Sequence, residues 1–231
     1  MSPRSRHVVL ANLERIREQV SQACARVDRD PAGVRIVAAG KTVEPEALGW
    51  VLEAGVRDLG ENYVRELRAK HDSVPGALWH YIGTLQSHTA HHVADLADIV
   101  ETAVPGKALA RLGRRAAARG RTVRSLVEVD FTGERSGVPP DGVLAACDEV
   151  ASTEGLRLVG LMTLPPLTPT AEGARPYFVR LRELLGQVSS HHPDAAELSM
   201  GMSLDYQVAV EEGATMVRIG TALFGERPPT G

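Results

Sequence analysis

Eight short apolar runs, each followed by a stretch with helical spacing, constrain this chain more than any other feature of its sequence. The runs are 35–40 (RIVAAG), 57–60 (RDLG), 79–83 (WHYIG), 97–101 (ADIVE), 123–130 (VRSLVEVD), 156–162 (LRLVGLM), 196–200 (AELSM) and 215–219 (TMVRI). Most are rich in aliphatic and β-branched residues, as buried strands are. Helical patterns fill the intervals near 45–54, 62–71, 86–94, 105–119, 140–152, 173–190 and 204–212, and a short TALFGE turn follows the eighth run. Strand–helix alternation implies parallel strands joined by right-handed crossovers, and eight such units close into a barrel. An open doubly wound sheet is the competing arrangement, but no GxGxxG follows the first strand.

A further helical pattern precedes the barrel: Val9, Leu13, Ile16, Val20, Cys24 and Val27 recur at helical spacing within 6–28. No linker divides the barrel region 35–227, and the Pro/Thr-rich LPPLTPT at 164–170 falls where a strand-to-helix loop belongs. The expectation is one domain over 1–231, a single (β/α)8 TIM barrel with an extra N-terminal helix. The 231 residues are 43% hydrophobic, enough for a sizeable core, and the formal net charge of -3 argues against a nucleic-acid footprint. The Arg-rich RLGRRAAARGRTVR at 111–124 reads as the solvated face of a helix. Cys24 and Cys147 lack metal-ligand spacing and read as buried thiols in a reducing compartment. No apolar run approaches bilayer length and the N-terminus has no signal-peptide pattern, so a soluble, cytoplasmic protein is expected.

In such a barrel, chemistry gathers at the carboxyl ends of the strands. Lys41 stands there after the first strand, before a helix with Pro45 in its first turn. GKT at 40–42 is not a GxxxxGK[ST] phosphate loop, because Arg35 occupies the place of the first Gly. The last two loops are more telling. ELSMGMSLDYQVAV sets Ser199, Gly201 and Ser203 between strand seven and a helix, and MVRIGTALFG sets Gly220 and Thr221 after strand eight. Small residues admit an anion to backbone N–H groups, hydroxyls add donors, and helix starts add partial positive charge. Loops seven and eight are the usual phosphate site of this fold. A lysine in a low-dielectric pocket loses its proton readily and can form a Schiff base with an aldehyde. Phosphate and aldehyde on one small molecule suggest pyridoxal 5'-phosphate, although other phosphosugar barrels with a Schiff-base lysine fit the same residues.

The segments IVAAGKT, DLGENYVREL, WHYIGTLQS, GLMTL and LSMGMSLDYQVAVEEGATMVRIGTALFGER together resemble the YggS/PROSC family of pyridoxal-phosphate-binding homeostasis proteins, over residues 8–227. The resemblance implies a fold-type III barrel like the N-terminal domain of alanine racemase, without that enzyme's C-terminal β domain. It implies that Lys41 carries pyridoxal 5'-phosphate as a Schiff base, and that Ser199, Met200, Gly201, Ser203, Gly220 and Thr221 surround the phosphate. It also implies that Arg218 faces the pyridine nitrogen and that Asn62, His80 and Met162 line the ring pocket. Three places depart from the family pattern: Gly40 stands where Ser is usual, His88-Thr89 where Asn-Lys is common, and DFTGERSGVPP is a shortened loop with Arg135 in place of a Lys. The last two leave cofactor entry and transfer open.

Plainer roles compete for each residue. Lys41 is also compatible with a surface position at a strand end, and Ser203 with a helix cap backed by Asp205. Arg218 could pair with a buried carboxylate such as Glu61, and His80 could be a satisfied core histidine. His88, His91, His92 and Asp95 resemble a metal cluster but lack the HExxH glutamate, so no metal is expected. Asp130 either points into the barrel or caps a loop.

Two classes of function follow. One is a carrier that buffers pyridoxal 5'-phosphate and hands it to recipient enzymes; the other is an amino-acid racemase of the alanine racemase fold type. A racemase needs a proton acceptor on each face of the substrate Cα, and none of Tyr63, Tyr81, Tyr177 and Tyr206 clearly supplies the second. The carrier reading is preferred, with no nucleic-acid or membrane partner and a monomer or weak homodimer as the expected state.

Overall fold

The computed structural model describes residues 5–226. Its strands are β1 Arg35–Ala39, β2 Asp58–Glu61, β3 Leu78–Tyr81, β4 Ile99–Ala103, β5 Val123–Val129, β6 Leu156–Thr163, β7 Glu197–Ser199 and β8 Met216–Ile219. Its helices are α1 Arg6–Ala25, α2 Pro45–Glu53, α3 Val64–His71, α4 Ala90–Leu96, α5 Lys107–Ala118, α6 Val143–Ser152, α7 Arg175–His191, α8 Tyr206–Glu211 and α9 Thr221–Phe224. Each strand pairs in parallel with the next, and β8 returns to β1 through Arg35↔Met216 and Ala38↔Ile219, closing a (β/α)8 TIM barrel. Closure leaves no edge strand for another chain to pair with.

α1 lies across the seam where the barrel closes. Its stripe of Val9, Leu13, Ile16, Val20 and Cys24 is buried, each large aliphatic side chain contributing about 1.5–3 kcal/mol of transfer free energy. Polar ties flank the stripe: Asn12 donates to the Leu223 carbonyl at 3.0 Å, Arg29 to those of Val210 and Ala214, and the Tyr206 hydroxyl to Gln19. The helix ends at Ala25, not at residue 28. Asp28 takes φ 54°, a left-handed conformation that stops the helix, and Val27 lies beyond the stripe and is exposed.

The strands have an outer face under the helices and an inner face toward the barrel axis, and register assigns residues between them. Val37 pairs with Asp58, Gly60 with His80, His80 with Ile99, Glu128 with Met162, Met162 with Ser199, and Val37 with Arg218. Laterally paired residues point to the same face and side chains alternate along a strand. The inner set therefore combines apolar Val37, Ile99, Leu126, Met162 and Met216 with polar Asp58, His80, Glu101, Glu128, Ser199 and Arg218.

The Arg-rich stretch is more engaged than a solvated face. Arg115 holds Asp95 through two bonds of 2.7 Å, and Arg121 donates to carbonyls at the end of α4, including Ala97 at 3.0 Å. Cations suit that end of a helix dipole, so the stretch ties α5 to α4. Among the described residues, no helix is long and apolar enough to cross a membrane.

Candidate functional site

β1 delivers the chain into a tight turn at the barrel mouth. Gly40 N–H donates to the Gly60 carbonyl and Val43 N–H to the Gly40 carbonyl, both at 2.8 Å, with Thr42 at φ 62°. Lys41 occupies this turn and is half-buried. A narrow crevice beside it is lined by Ala39, Lys41, Thr42 and Val43 on one side and Gly220, Thr221, Phe224 and Gly225 on the other. Lys41, Gly220 and Thr221, which lie at opposite ends of the sequence, are thus brought together by the β1–β8 pairing.

The loop after β7 is fastened to the same place. Ser203 Oγ accepts from the Ala222 N–H at 3.1 Å, which joins this loop to α9 instead of capping α8. Gly201 has φ 90°, and a Cβ there would lie 2.5 Å from that of Ala209, so only glycine fits. Its carbonyl accepts from Arg218 N–H at 2.9 Å, and Met200 is fully buried. Asp205 accepts from Met202 N–H at 2.7 Å and shapes the turn into α8.

Beneath the mouth a continuous polar chain crosses the barrel interior. Arg35 donates to Asp58 (3.1 Å), Asp58 meets His80 Nε2 (2.8 Å), and His80 Nδ1 meets Glu101 Oε1 (2.6 Å). Ser199 donates to Glu101 Oε2 (2.5 Å) and accepts from Arg218, whose second nitrogen donates to the Thr163 carbonyl at 2.8 Å. Burial alone would lower the His80 pKa, but hydrogen bonds to Asp58 and Glu101 outweigh it and hold the imidazole above its ordinary value. Burial raises the Glu101 carboxyl, and the His80 hydrogen bond with the Arg218 charge more than reverses this, leaving it low. Arg218 is drawn down by burial against the pull of Glu101, Asp205 and Glu128, and it remains the cation of the set.

This geometry bears on three readings of the sequence. Arg218 pairs with Glu101 at 3.5 Å, not with Glu61. The Ser199 hydroxyl, read as a phosphate donor, is taken up by Glu101 and Arg218 in the interior, because the barrel register turns it inward. His80 is fully buried with both nitrogens bonded, which is the satisfied core histidine that the sequence also allows. Met162 shares the inner face beside Ser199. Asn62 keeps its side-chain oxygen buried with no hydrogen-bond partner among the described residues, as does one oxygen of Glu61.

Other candidates resolve plainly. Asp130 caps its loop, accepting from the N–H groups of Thr132, Gly133 and Arg135. His92 bonds Arg68, and Asp95 is held by Arg115. Among the described residues no three His, Cys, Asp or Glu side chains are grouped to hold a metal. A cavity of about 420 Å³ lies at the opposite end of the barrel, among Arg17, Arg35, Arg57 and Asp58. It is roomier than the crevice at Lys41, but strand-end chemistry in this fold belongs to the other face.

Sequence reasoning missed Glu101 and Lys70. Glu101 follows two residues after Ile99 and so shares its inward phase. Lys70 sits on the buried stripe of α3, three residues after Leu67 and four before Val74. A charged residue in the phase of a core stripe was the available signal.

Comparison with known proteins agrees with this architecture. The family model described as the alanine racemase N-terminal domain matches residues 11–228, and the chain belongs to that family. The pyridoxal phosphate homeostasis protein of Aquifex aeolicus is 36% identical over 221 residues, spanning 93% of this chain and 96% of the relative. The structure of PipY from Synechococcus elongatus PCC7942 with pyridoxal phosphate bound superposes with a TM-score of 0.79 at 31% identity, covering 89% of this chain and 100% of that one. An unknown protein from Bifidobacterium adolescentis superposes with a TM-score of 0.89 at 29% identity, covering 95% of each.

Proposed function

We propose that this protein binds pyridoxal 5'-phosphate at the carboxyl ends of its strands and serves in the homeostasis of that cofactor, as an intracellular carrier and buffer. The observation that carries the reading is the crevice shared by Lys41 with Gly220 and Thr221. It sets a primary amine beside a glycine, a hydroxyl and the start of a short helix. The buried, unpartnered oxygen of Asn62 is a further polar contact awaiting a donor. When bound, the cofactor supplies an aldehyde that condenses with an amine and a phosphate dianion that anchors it.

The residues divide the work by position. Lys41 is the anchoring amine. Gly201, Ser203, Gly220 and Thr221 form the anion cradle with the backbone of Met200, and Asn62 and Met162 flank the ring. Arg218 would stand toward the ring nitrogen as a fixed cation and would disfavour its protonation. Ser199, Glu101 and His80 hold Arg218 in place through the interior chain. We assign a cytoplasmic location, enzymes that need the cofactor as recipients, and a monomer or weak homodimer.

The test is optical and chemical. The purified protein should show a visible absorption band with pyridoxal 5'-phosphate that borohydride abolishes, and peptide mapping should then find the label on Lys41. A label on another lysine, or none, would sink the assignment.

A further inference from the structure

We infer that Lys70 is the positioning residue for the turn that carries Lys41, acting as a buried clasp between α3 and the end of β1. The inference rests on the reading of Lys41 as the anchoring amine.

Lys70 lies on the core-facing stripe of α3, its side chain only 8% exposed. A buried ammonium is costly unless each of its three donors finds an acceptor. Here all three do: the Gly40 carbonyl at 2.8 Å, Glu61 Oε1 at 2.6 Å and Glu66 Oε2 at 2.9 Å. The first acceptor belongs to the peptide joining Gly40 to Lys41. That carbonyl also receives Val43 N–H, the bond that closes the turn. The third acceptor, Glu66 Oε2, receives Thr42 N–H at 2.9 Å as well. Lys70 therefore grips the turn directly on one side of Lys41 and through Glu66 on the other.

Two further observations show how tightly the turn is held. Thr42 takes φ 62°, a conformation that a β-branched residue adopts only under constraint. A Cβ on Gly40 would lie 2.8 Å from Glu61 Oε1 and 3.1 Å from Leu48, so the glycine lets the Glu61 carboxylate lie close against the turn where it meets Lys70. A turn displaced from this arrangement would take an acceptor from an ammonium that is largely buried. The clasp and the orientation of Lys41 are one structural unit. An amine held in one orientation meets an incoming aldehyde more often in a reactive geometry than a mobile one does.

The experiment compares Lys70→Met, Lys70→Arg and Glu66→Ala in the full chain, titrated with pyridoxal 5'-phosphate and with pyridoxal. The visible band reports binding, urea unfolding reports the fold, and borohydride mapping reports the lysine used. Lys70→Met removes all three of these bonds. The one to the Gly40 carbonyl bears directly on the Lys41 turn, and its loss should weaken binding of both ligands by about tenfold, because the clasp acts on the amine and not on the phosphate. Lys70→Arg, which keeps a cation and donors, should recover part of that loss. If Lys70→Met does not fold, Glu66→Ala decides, since Glu66 is partly exposed and its removal frees the Thr42 N–H and one Lys70 donor while leaving those to Gly40 and Glu61: weaker binding of both ligands supports the clasp. Unchanged affinity for both ligands in a folded variant, or a loss confined to the phosphorylated one, overturns it. A label away from Lys41 in the unmodified protein would instead overturn the functional reading on which it rests.

Discussion

His80 and Glu101 meet inside the barrel, ring Nδ1 to carboxylate Oε1 at 2.6 Å, and neither side chain is exposed. Glu101 also lies within ion-pair distance of Arg218, at 3.5 Å, so one buried carboxylate is shared by the imidazole and the guanidinium. Glu101→Gln would leave both without that charge. Breaking a buried pair from one side costs about 3–5 kcal/mol. Urea unfolding should show a loss of that order, and a variant as stable as the parent would mean that the interior chain is not held by charge.

A second prediction concerns pH. Burial, opposed by the Lys70 hydrogen bond, pushes the Glu61 carboxyl up to about 7 from an ordinary 4.5. Below 4.5 both folded and unfolded chains hold the proton, and Glu61 contributes its full share of stability. Between 4.5 and about 7 the folded chain keeps a proton that the unfolded chain releases, so stability falls as pH rises through this window. Glu61→Gln removes that slope. Unfolding free energies at several pH values across the window, parent against variant, measure it; parallel curves would refute it.

The cradle is tested by Thr221→Val. On the proposed reading the Thr221 hydroxyl donates to the phosphate, and its loss should cost about 1.5–3 kcal/mol, or roughly ten- to a hundredfold in affinity for pyridoxal 5'-phosphate. Binding of pyridoxal should barely change. Ser203→Ala should act in the same direction, with an added loosening of α9 because its hydroxyl accepts from Ala222 N–H. Equal losses for both ligands would place the effect in the fold.

Amino-acid racemisation should be at most a trace. Inverting a stereocentre needs acid–base groups on both faces of Cα, each worth about 10²–10⁴-fold. The Tyr81 hydroxyl donates to the Thr84 carbonyl, that of Tyr206 to Gln19, and Tyr177 packs against Phe131. Tyr63, exposed beside Asn62, is the tyrosine placed to act if any does. A chiral assay on alanine and serine with the loaded protein measures this. Many turnovers per site that vanish in Tyr63→Phe would make the protein an enzyme.

Much of this was legible in the sequence because each barrel strand is buried on both faces and therefore announces itself as an apolar run. Lys41, Gly220 and Thr221 were legible as strand-end residues. The hydrogen-bond partners of Ser199, His80 and Glu101 were not legible, because they are set by lateral register across four or five strands, which local spacing does not encode. Lys70 was passed over because a lysine on a helix is ordinarily solvated. Only the depth of its stripe position, between Leu67 and Val74, distinguishes it.

The seam between β8 and β1 also governs when the barrel can form. Until residues 216–219 leave the ribosome, β1 has β2 alone as a neighbour, and its other edge stays open to mispairing. α1 is synthesised first, yet it packs against α8 and α9, near the end of the chain. α1 and these two helices must therefore wait for each other. Such distant contacts close slowly, and the turn that holds Lys41 takes its place opposite Gly220 and Thr221 only after β8 has been made.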